Sequence, residues 1–496
     1  MSFILSIDQG TTGTTALLID SKKLNIIDKI NFEYTQHYPK PGWVEHDLDD
    51  IWHSVSMAVK ELLDKNSINA SAIEAIGITN QRETTCAFNK AGKPLAKAIV
   101  WQDRRTSEFC LRLQEGGNNR LFKSKTGLPL DPYFSGTKIN WLLKNNDAVK
   151  SALANNDLRV GTIDTYLLYK LSGNHSFKTD TSNASRTLLM DLQTSSWDEE
   201  LCDILEVPQS ILPEICDTFC HFGTTKGLAF LPDGIPITCL IGDQQSALFG
   251  QAGFTKGDMK CTYGTGAFLL LNTGTEIVKS ENGLLSTNAF RHKGINHYAL
   301  EGSCYIAGAA VQWVRDNLNF IDSASAIEEL SQTVKNMDEM KHILFMPFFS
   351  GLGSPFWNPE AKGAIIGLTR DTSRAHIARA CLEGIALSID DIITAFEEDS
   401  KHKIEELRVD GGATANNLLL SLQSTFANLK IIRPEVIETT GYGAALGALV
   451  GMEKLSFSQI SELWREDRTF TPDNTLSDYC QEKKVYWQNS VKKMFL

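Results

Sequence analysis

The chain has 496 residues, 42% of them apolar and 22% charged, enough for two large or three ordinary domains whose cores need no disulfide or metal staple. Its net charge of −12, from 48 basic and 60 acidic residues, argues against a nucleic-acid or anionic-membrane surface but leaves room for a small anion in a local pocket. The ten cysteines are scattered without a CxxC pair, and Cys216, Cys220 and His221 lack a fourth zinc ligand, so the thiols point to a reducing cytoplasm. No apolar run approaches the about 20 residues of a membrane span and no basic leader opens the sequence, so no membrane insertion is expected.

In chain order, Phe3 to Ile7 reads as a buried strand ended by Asp8. Gln9 to Gly13 supplies a tight turn, and Thr14 to Ile19 reads as the returning strand. A helical segment follows from Asp50 to Lys65. Just over half a chain length later the pattern recurs: Met259 to Tyr263 is strand-like, Gly264-Thr265-Gly266 is a turn, and Ala267 to Leu271 is a second apolar strand. Tyr305 to Leu318 then reads as a helix, and Leu407 to Ala413 as a strand running into a Gly pair ahead of a helix that begins near Asn416. The echo predicts two related α/β domains, residues 1–250 and 251–496, each opening with a hairpin that has a Gly-Thr tip; the plainer reading is that Gly-Thr turns are common and the echo is chance. The segment after about Ser456 carries no recognisable chemistry.

The common nucleotide loops are absent. Gly92-Lys93 runs into Pro94 rather than completing a P-loop, and Gly441 to Gly447 is one residue too long for GxGxxG. The protein-kinase signature set is missing as well. The hairpin tips offer another way to hold phosphate. Glycine lets the backbone approach a ligand, successive N–H groups converge on one concavity, and the hydroxyls of Thr11, Thr12 and Thr265 add neutral donors. Two such tips, one per domain, could hold a triphosphate without any lysine. Asp8 would then lie beside the phosphates, where a carboxylate can orient Mg²⁺ through water. Its plainer role is to cap a turn. Gly308 and Gln312 share one face of the Tyr305 helix, and a glycine inside a helix hints at a close neighbour, either a ligand or another element.

Together these residues resemble the ATPase core shared by actin, hexokinase and the chaperone ATPases. More closely, the chain resembles the FGGY carbohydrate kinases, and among them the branch that phosphorylates glycerol. The resemblance runs from about Phe3 to past residue 450. It rests on Asp8-Gln9-Gly10-Thr11-Thr12, Tyr38 to Asp47 (YPKPGWVEHD), Gly77 to Thr85 (GITNQRETT), Ile99 to Arg105 (IVWQDRR), Asp131 to Lys138 (DPYFSGTK), Asn183 to Leu188 (NASRTL), Gly242 to Gln251 (GDQQSALFGQ) and Tyr263 to Gly266 (YGTG). Each stretch is weak alone; their order is specific.

The resemblance implies two duplicated ribonuclease H-like domains with a cleft between them. It also implies ATP-dependent phosphorylation of glycerol to sn-glycerol 3-phosphate, the first step of glycerol catabolism, in the cytoplasm and with Mg²⁺. On the acceptor side it places Arg82, Glu83, Trp101, Tyr133, Asp243, Gln244 and Phe268 around glycerol, with Asp243 as catalytic base. Arg donates to hydroxyl oxygens while Glu accepts from hydroxyl protons, so the pair covers both sides of a hydroxyl. Without the family match, Arg82 and Glu83 would read as a surface ion pair and Asp243 as a helix N-cap. On the nucleotide side it places Thr11, Thr12, Gly13, Thr265, Gly308, Gln312, Gly412 and Asn416 around ATP, with Asp8 toward the metal. Relatives form homodimers or homotetramers, which sets that expectation here.

Three departures stand out. Thr15 occupies a position where relatives often carry Arg, and Thr225 to Ile237 contains no Arg of the kind a fructose 1,6-bisphosphate loop would need. His221-Phe222-Gly223 lies too early to match the phosphorylated-histidine loop of some relatives. Two other readings stay open: a sister kinase acting on a pentulose or gluconate, and an actin- or chaperone-like ATPase whose turnover ignores polyols.

Overall fold

The computed structural model describes residues 2–496. Two mixed sheets organise them. The first holds β1 (Phe3–Gln9), β2 (Gly13–Asp20), β3 (Ile26–Glu33), β4 (Ile73–Asn80), β5 (Phe219–Thr224) and β6 (Pro236–Gly242), in the order β5-β6-β4-β1-β2-β3. The second holds β7 (Met259–Tyr263), β8 (Ala267–Gly274), β9 (Leu285–His292), β10 (Ile295–Cys304), β11 (Glu406–Asp410), β12 (Lys430–Pro434) and β13 (Glu466–Phe470). Read from its far edge, the order is β13-β12-β11-β7-β8-β10-β9.

The duplication expected from the two hairpins is therefore a duplication of topology. In each sheet the opening strand pairs antiparallel with its hairpin partner and parallel with a strand that arrives much later, β4 or β11. An antiparallel edge strand, β5 or β13, closes one side of each. β1 is buried along nearly its whole length because it is covered on both faces. β3, at the edge, alternates between half-buried and exposed positions.

The helix after β3, α1 (Leu48–Lys65), begins two residues ahead of the expected start. Its cap is Asp47, whose carboxylate accepts from the Asp49 amide. Its apolar stripe, Leu48, Ile51, Val55, Ala58, Val59 and Leu62, lies against the first sheet.

Two helices join the halves. α2 (Asp243–Gly250) follows β6 of the first sheet yet also packs on β7 and β8 of the second. Later helices include α3 (Gly308–Asp316), α4 (Arg374–Ser400), α5 (Asn417–Ala427), α6 (Thr439–Gly451) and α7 (Ser477–Phe495). α6 follows β12 of the second sheet and lies on β1, β4 and β6 of the first, alongside α2. Each half thus lends a helix to the other. Leu248 and Phe249 of α2, Ala444 to Val450 of α6, Ile4 and Ala75 of the first sheet, and Leu270 and Ala299 of the second all share one core. The packing is close enough that glycine is required: a Cβ on Gly443 would lie 2.0 Å from the Ser246 carbonyl oxygen, and one on Gly77 would lie 2.1 Å from that of Ala444. The Gly-rich stretch that fails as a dinucleotide loop is this interface helix. No helix among the described residues is long and apolar enough to cross a membrane.

Candidate functional site at the junction of the two halves

Asp243 is the first residue of α2, at the point where the halves meet. It is not the N-cap that its sequence context suggests. Gly242 occupies that position, and a Cβ there would lie 2.7 Å from Arg82 Cδ. The Asp243 carboxylate accepts from the Gln244 amide at 2.7 Å and from Gln244 Nε2 at 3.2 Å, and it lies 3.0 Å from Arg82 Nε. Its side chain stays 29% exposed, so one side of it is open to a reactant.

Arg82 and Glu83 are buried rather than on the surface, and their strongest ion pairs are not with each other. Arg82 pairs with Glu301 on β10, through Nη1 and, at 3.1 Å, Nη2; its Nη1 also donates to Gln245 Oε1 at 3.2 Å. Glu83 accepts from Arg186 Nε at 2.6 Å, and Arg186 Nη2 donates to Glu301 Oε1 at 2.9 Å. The result is a dry quartet of two guanidiniums and two carboxylates. Burial pushes the Glu83 carboxyl above its ordinary range despite Arg186 and Arg82. Glu83 also sits at φ +60°, a left-handed backbone uncommon for a non-glycine residue. Within the quartet, Arg82 Nε and Arg186 Nη1 remain without an aligned hydrogen-bond partner.

An aromatic corner stands beside these polar groups. The Trp101 ring meets Tyr133 edge-on at 5.6 Å and Phe268 at 6.4 Å, and Phe268 comes from β8 of the second half. Trp101 Nε1 donates to Thr11 Oγ1 at 3.0 Å, which ties this corner to the first hairpin tip. Under that tip the Tyr34 hydroxyl lies 2.7 Å from the Gly10 carbonyl and 2.9 Å from that of Thr11. Thr12 is exposed, while Gly13 opens β2 as a buried residue.

The second tip is fastened to the start of α3. The Ala307 and Ala309 amides donate to the Thr265 carbonyl at 2.8 and 3.1 Å, and the Gly308 amide donates to that of Gly264 at 3.0 Å. Those bonds hold residues 305–307 out of the helix, which is why α3 begins at Gly308 rather than at Tyr305. They also account for the glycine, because a Cβ on Gly308 would lie 2.6 Å from the Gly264 carbonyl oxygen and 3.8 Å from Ala413 Cβ. The β11–α5 junction therefore meets the tip here. Gly412 is open to solvent, and Asn416 caps α5 by accepting from the Leu419 amide at 2.9 Å. Gln312 is one turn along α3 and exposed.

Asp8 is not the end of β1, as its place after the apolar run suggests, but the residue before the last, half-buried opposite Thr15 on β2. Loss of water around it, together with the negative charges of Asp243 and Glu438, pushes its carboxyl up to about 8. An oxygen ligand short of positive charge beside the first hairpin tip suits Mg²⁺, which keeps waters and substrate oxygens in its shell.

Residues 3–250 match the N-terminal domain of the FGGY family of carbohydrate kinases, and residues 259–452 match the C-terminal domain of the same family. The chain belongs to that family. It is 48% identical to a glycerol kinase of Myxococcus xanthus over 495 residues, 99% of each chain, and 48% identical to one of Bdellovibrio bacteriovorus over 472 residues, 95% of this chain and 94% of that one. The crystal structure of Plasmodium falciparum glycerol kinase with ADP superposes with a TM-score of 0.91 at 38% identity, covering 100% of this chain and 99% of that one. A gluconate kinase from Lactobacillus acidophilus shares the fold at 22% identity, with a TM-score of 0.88 and coverage of 100% and 99%.

In this FGGY kinase the acceptor candidates Arg82, Glu83, Trp101, Tyr133, Asp243, Gln244 and Phe268 form one cluster. Three neighbours escape the sequence reading: Arg186, Lys260 and Glu301. Arg186 lies inside the quoted NASRTL motif, which signals its presence but not its partner. Lys260 and Glu301 stand in ordinary-looking strands and carry no motif.

Proposed function

We propose that this FGGY kinase transfers the γ-phosphoryl group of ATP to a terminal hydroxyl of glycerol, giving sn-glycerol 3-phosphate and ADP, with Asp243 as the general base. The observation that carries the proposal is the convergence on Asp243. A half-open carboxylate stands among buried groups that donate to and accept from hydroxyls, against an aromatic wall, at the junction of two Gly-Thr hairpins. The near-full-length likeness to glycerol kinases supports the same reaction.

Arg82 and Glu83 bind neighbouring hydroxyls, and Trp101, Tyr133 and Phe268 cover the carbon chain and keep water from the phosphoryl group. Arg82 and Gln244 hold the Asp243 carboxylate in one orientation, from which it takes the proton of the attacking hydroxyl. The tips at Thr11-Thr12-Gly13 and Thr265 cradle the phosphates with backbone N–H groups, and Gly308, Gln312, Gly412 and Asn416 bound the adenosine side. Asp8 would hold Mg²⁺ through the ion's waters, and the metal would supply neutralisation of phosphate charge. The catalytic gain comes chiefly from positioning and charge stabilisation. Glycerol has so few heavy atoms that its binding energy is capped near about 9 kcal/mol, part of which goes into closing the halves. On this reading the enzyme performs the first step of glycerol catabolism.

A coupled assay of ADP release with glycerol, gluconate, xylulose and no acceptor tests the proposal. Glycerol is expected to give the largest stimulation. A larger response to a sugar would move the chain to a sister specificity, and turnover indifferent to every acceptor would leave an ATPase.

A further inference from the structure

Two ionisable side chains of the second half reach into the acceptor cluster of the first. Lys260 on β7 is directly opposite Leu270 on β8, and Leu270 is directly opposite Glu301 on β10. Paired residues on neighbouring strands point to the same face, so all three stand in one row across the sheet. Leu270 belongs to the core shared by both halves, which fixes that face as the one toward the first half.

At one end of the row, Lys260 Nζ donates to Gln244 Oε1 at 2.5 Å, Thr262 Oγ1 at 2.9 Å and the Phe268 carbonyl at 3.3 Å. An ammonium has three donors, and all three are used, two of them on residues of the acceptor cluster. At the other end, Glu301 takes both Arg82 and Arg186. Burial opposes the charge on Glu301, but Arg186 and Arg82 reverse that and hold its carboxyl below the ordinary range. All four members of the quartet have at most 3% of their surface exposed, so solvent cannot substitute for a missing partner.

We propose that Lys260 and Glu301 are positioning residues for the acceptor pocket, setting Gln244 and the two arginines from the opposite half. The proposal rests on the assignment of Arg82 and Gln244 to the acceptor. Glu301 engages the guanidiniums of Arg82 and Arg186 so that Glu83 and Asp243 keep lone pairs for the substrate. Without it, both arginines have only those two carboxylates left to pair with. Lys260 holds the Gln244 amide oxygen and the backbone of Phe268, so the polar floor and one apolar wall are set by a single group. Glycerol affinity thereby depends on how the two sheets are docked, with no contact between either positioning residue and the substrate.

The test compares Glu301→Gln, Lys260→Met and Arg82→Gln, each by KM for glycerol, KM for ATP, kcat, and ADP binding without glycerol. Losing one partner of a buried charge pair predicts a KM for glycerol raised by about tenfold or more in Glu301→Gln, with a smaller rise in Lys260→Met. KM for ATP and ADP binding should stay near those of the unaltered enzyme, and Glu301→Asp should recover part of the loss. A raised KM for ATP in equal measure, or a KM for glycerol unchanged in both variants, overturns the proposal. If Arg82→Gln also leaves KM for glycerol unchanged, the pocket assignment itself fails; if Arg82→Gln is impaired while the other two are not, only the positioning role fails. Should Glu301→Gln not fold, Lys260→Met carries the same decision.

Discussion

Asp243 illustrates how much of one side chain's setting is built by others. Arg82 and Gln244 hold it, Gly242 leaves room for the Arg82 stem, and Glu301 and Lys260 hold those partners in turn. If it is the base, Asp243→Asn should lower kcat by roughly 10²–10⁴-fold while an ADP titration stays unchanged. An Asn variant with normal turnover would remove the role. His46, from the YPKPGWVEHD stretch, has a different kind of role. Burial, helped by the charge of His37, holds its pKa down to about 3, and its Nε2 lies 2.5 Å from Gln36 Oε1 beneath the first tip. The unfolded chain takes up this proton near pH 6.5 and the folded chain only near 3, so folding stability falls as the pH drops through that window. Melting curves from pH 7 to 5 should therefore slope less steeply in His46→Gln than in the unaltered enzyme. Some slope should remain, because His292 and His297 are also held below their ordinary values. Of the acceptor candidates, Arg82, Glu83, Trp101, Tyr133, Asp243 and Gln244 were legible because each lies in a compact motif, while Phe268 lies two residues beyond one. Arg186, Lys260 and Glu301 matter through partners far away in the chain, and strand register across three strands is not written in any local pattern.

At the scale of elements, the hairpins were the most readable feature: a short apolar run, a Gly-Thr turn and a second apolar run can be little else. The helix after the second tip was less so. Its first turn is lost to hydrogen bonds with Thr265, a tertiary effect that periodicity does not carry. Gly308→Ala tests that coupling. The added methyl would press on the Gly264 carbonyl and displace the tip, so KM for ATP should rise several-fold while KM for glycerol changes little. Equal changes in both would mean that the tip serves the whole junction rather than the nucleotide side. α6 was legible only as an apolar, Gly-rich stretch. A helix apolar on every face must be buried on every face, but which surfaces bury it emerges only from the fold.

At the scale of the whole molecule, the stretch after Ser456 acquires a purpose that its composition does not show. α7 carries Tyr479, Cys480, Trp487 and Val491 into the core of the second half. Lys483 pairs with Glu383 of α4 and donates to the Met340 carbonyl at 2.8 Å, Tyr479 donates to the same carboxylate at 2.9 Å, and Arg379 lies 2.8 Å from it. The last helix therefore clamps α4, the long helix that packs against α3 and α5.

The exchange of α2 and α6 has a consequence for anyone wishing to cut the gene in two. A break between the family's two domains leaves each fragment with an orphaned greasy helix and a bare sheet that only the other fragment can cover. Fragments 1–250 and 251–496 should aggregate when produced singly and complement each other when produced together, regaining turnover without a covalent link. If either piece proved monomeric and soluble alone, the two halves would be neighbours rather than interlocked.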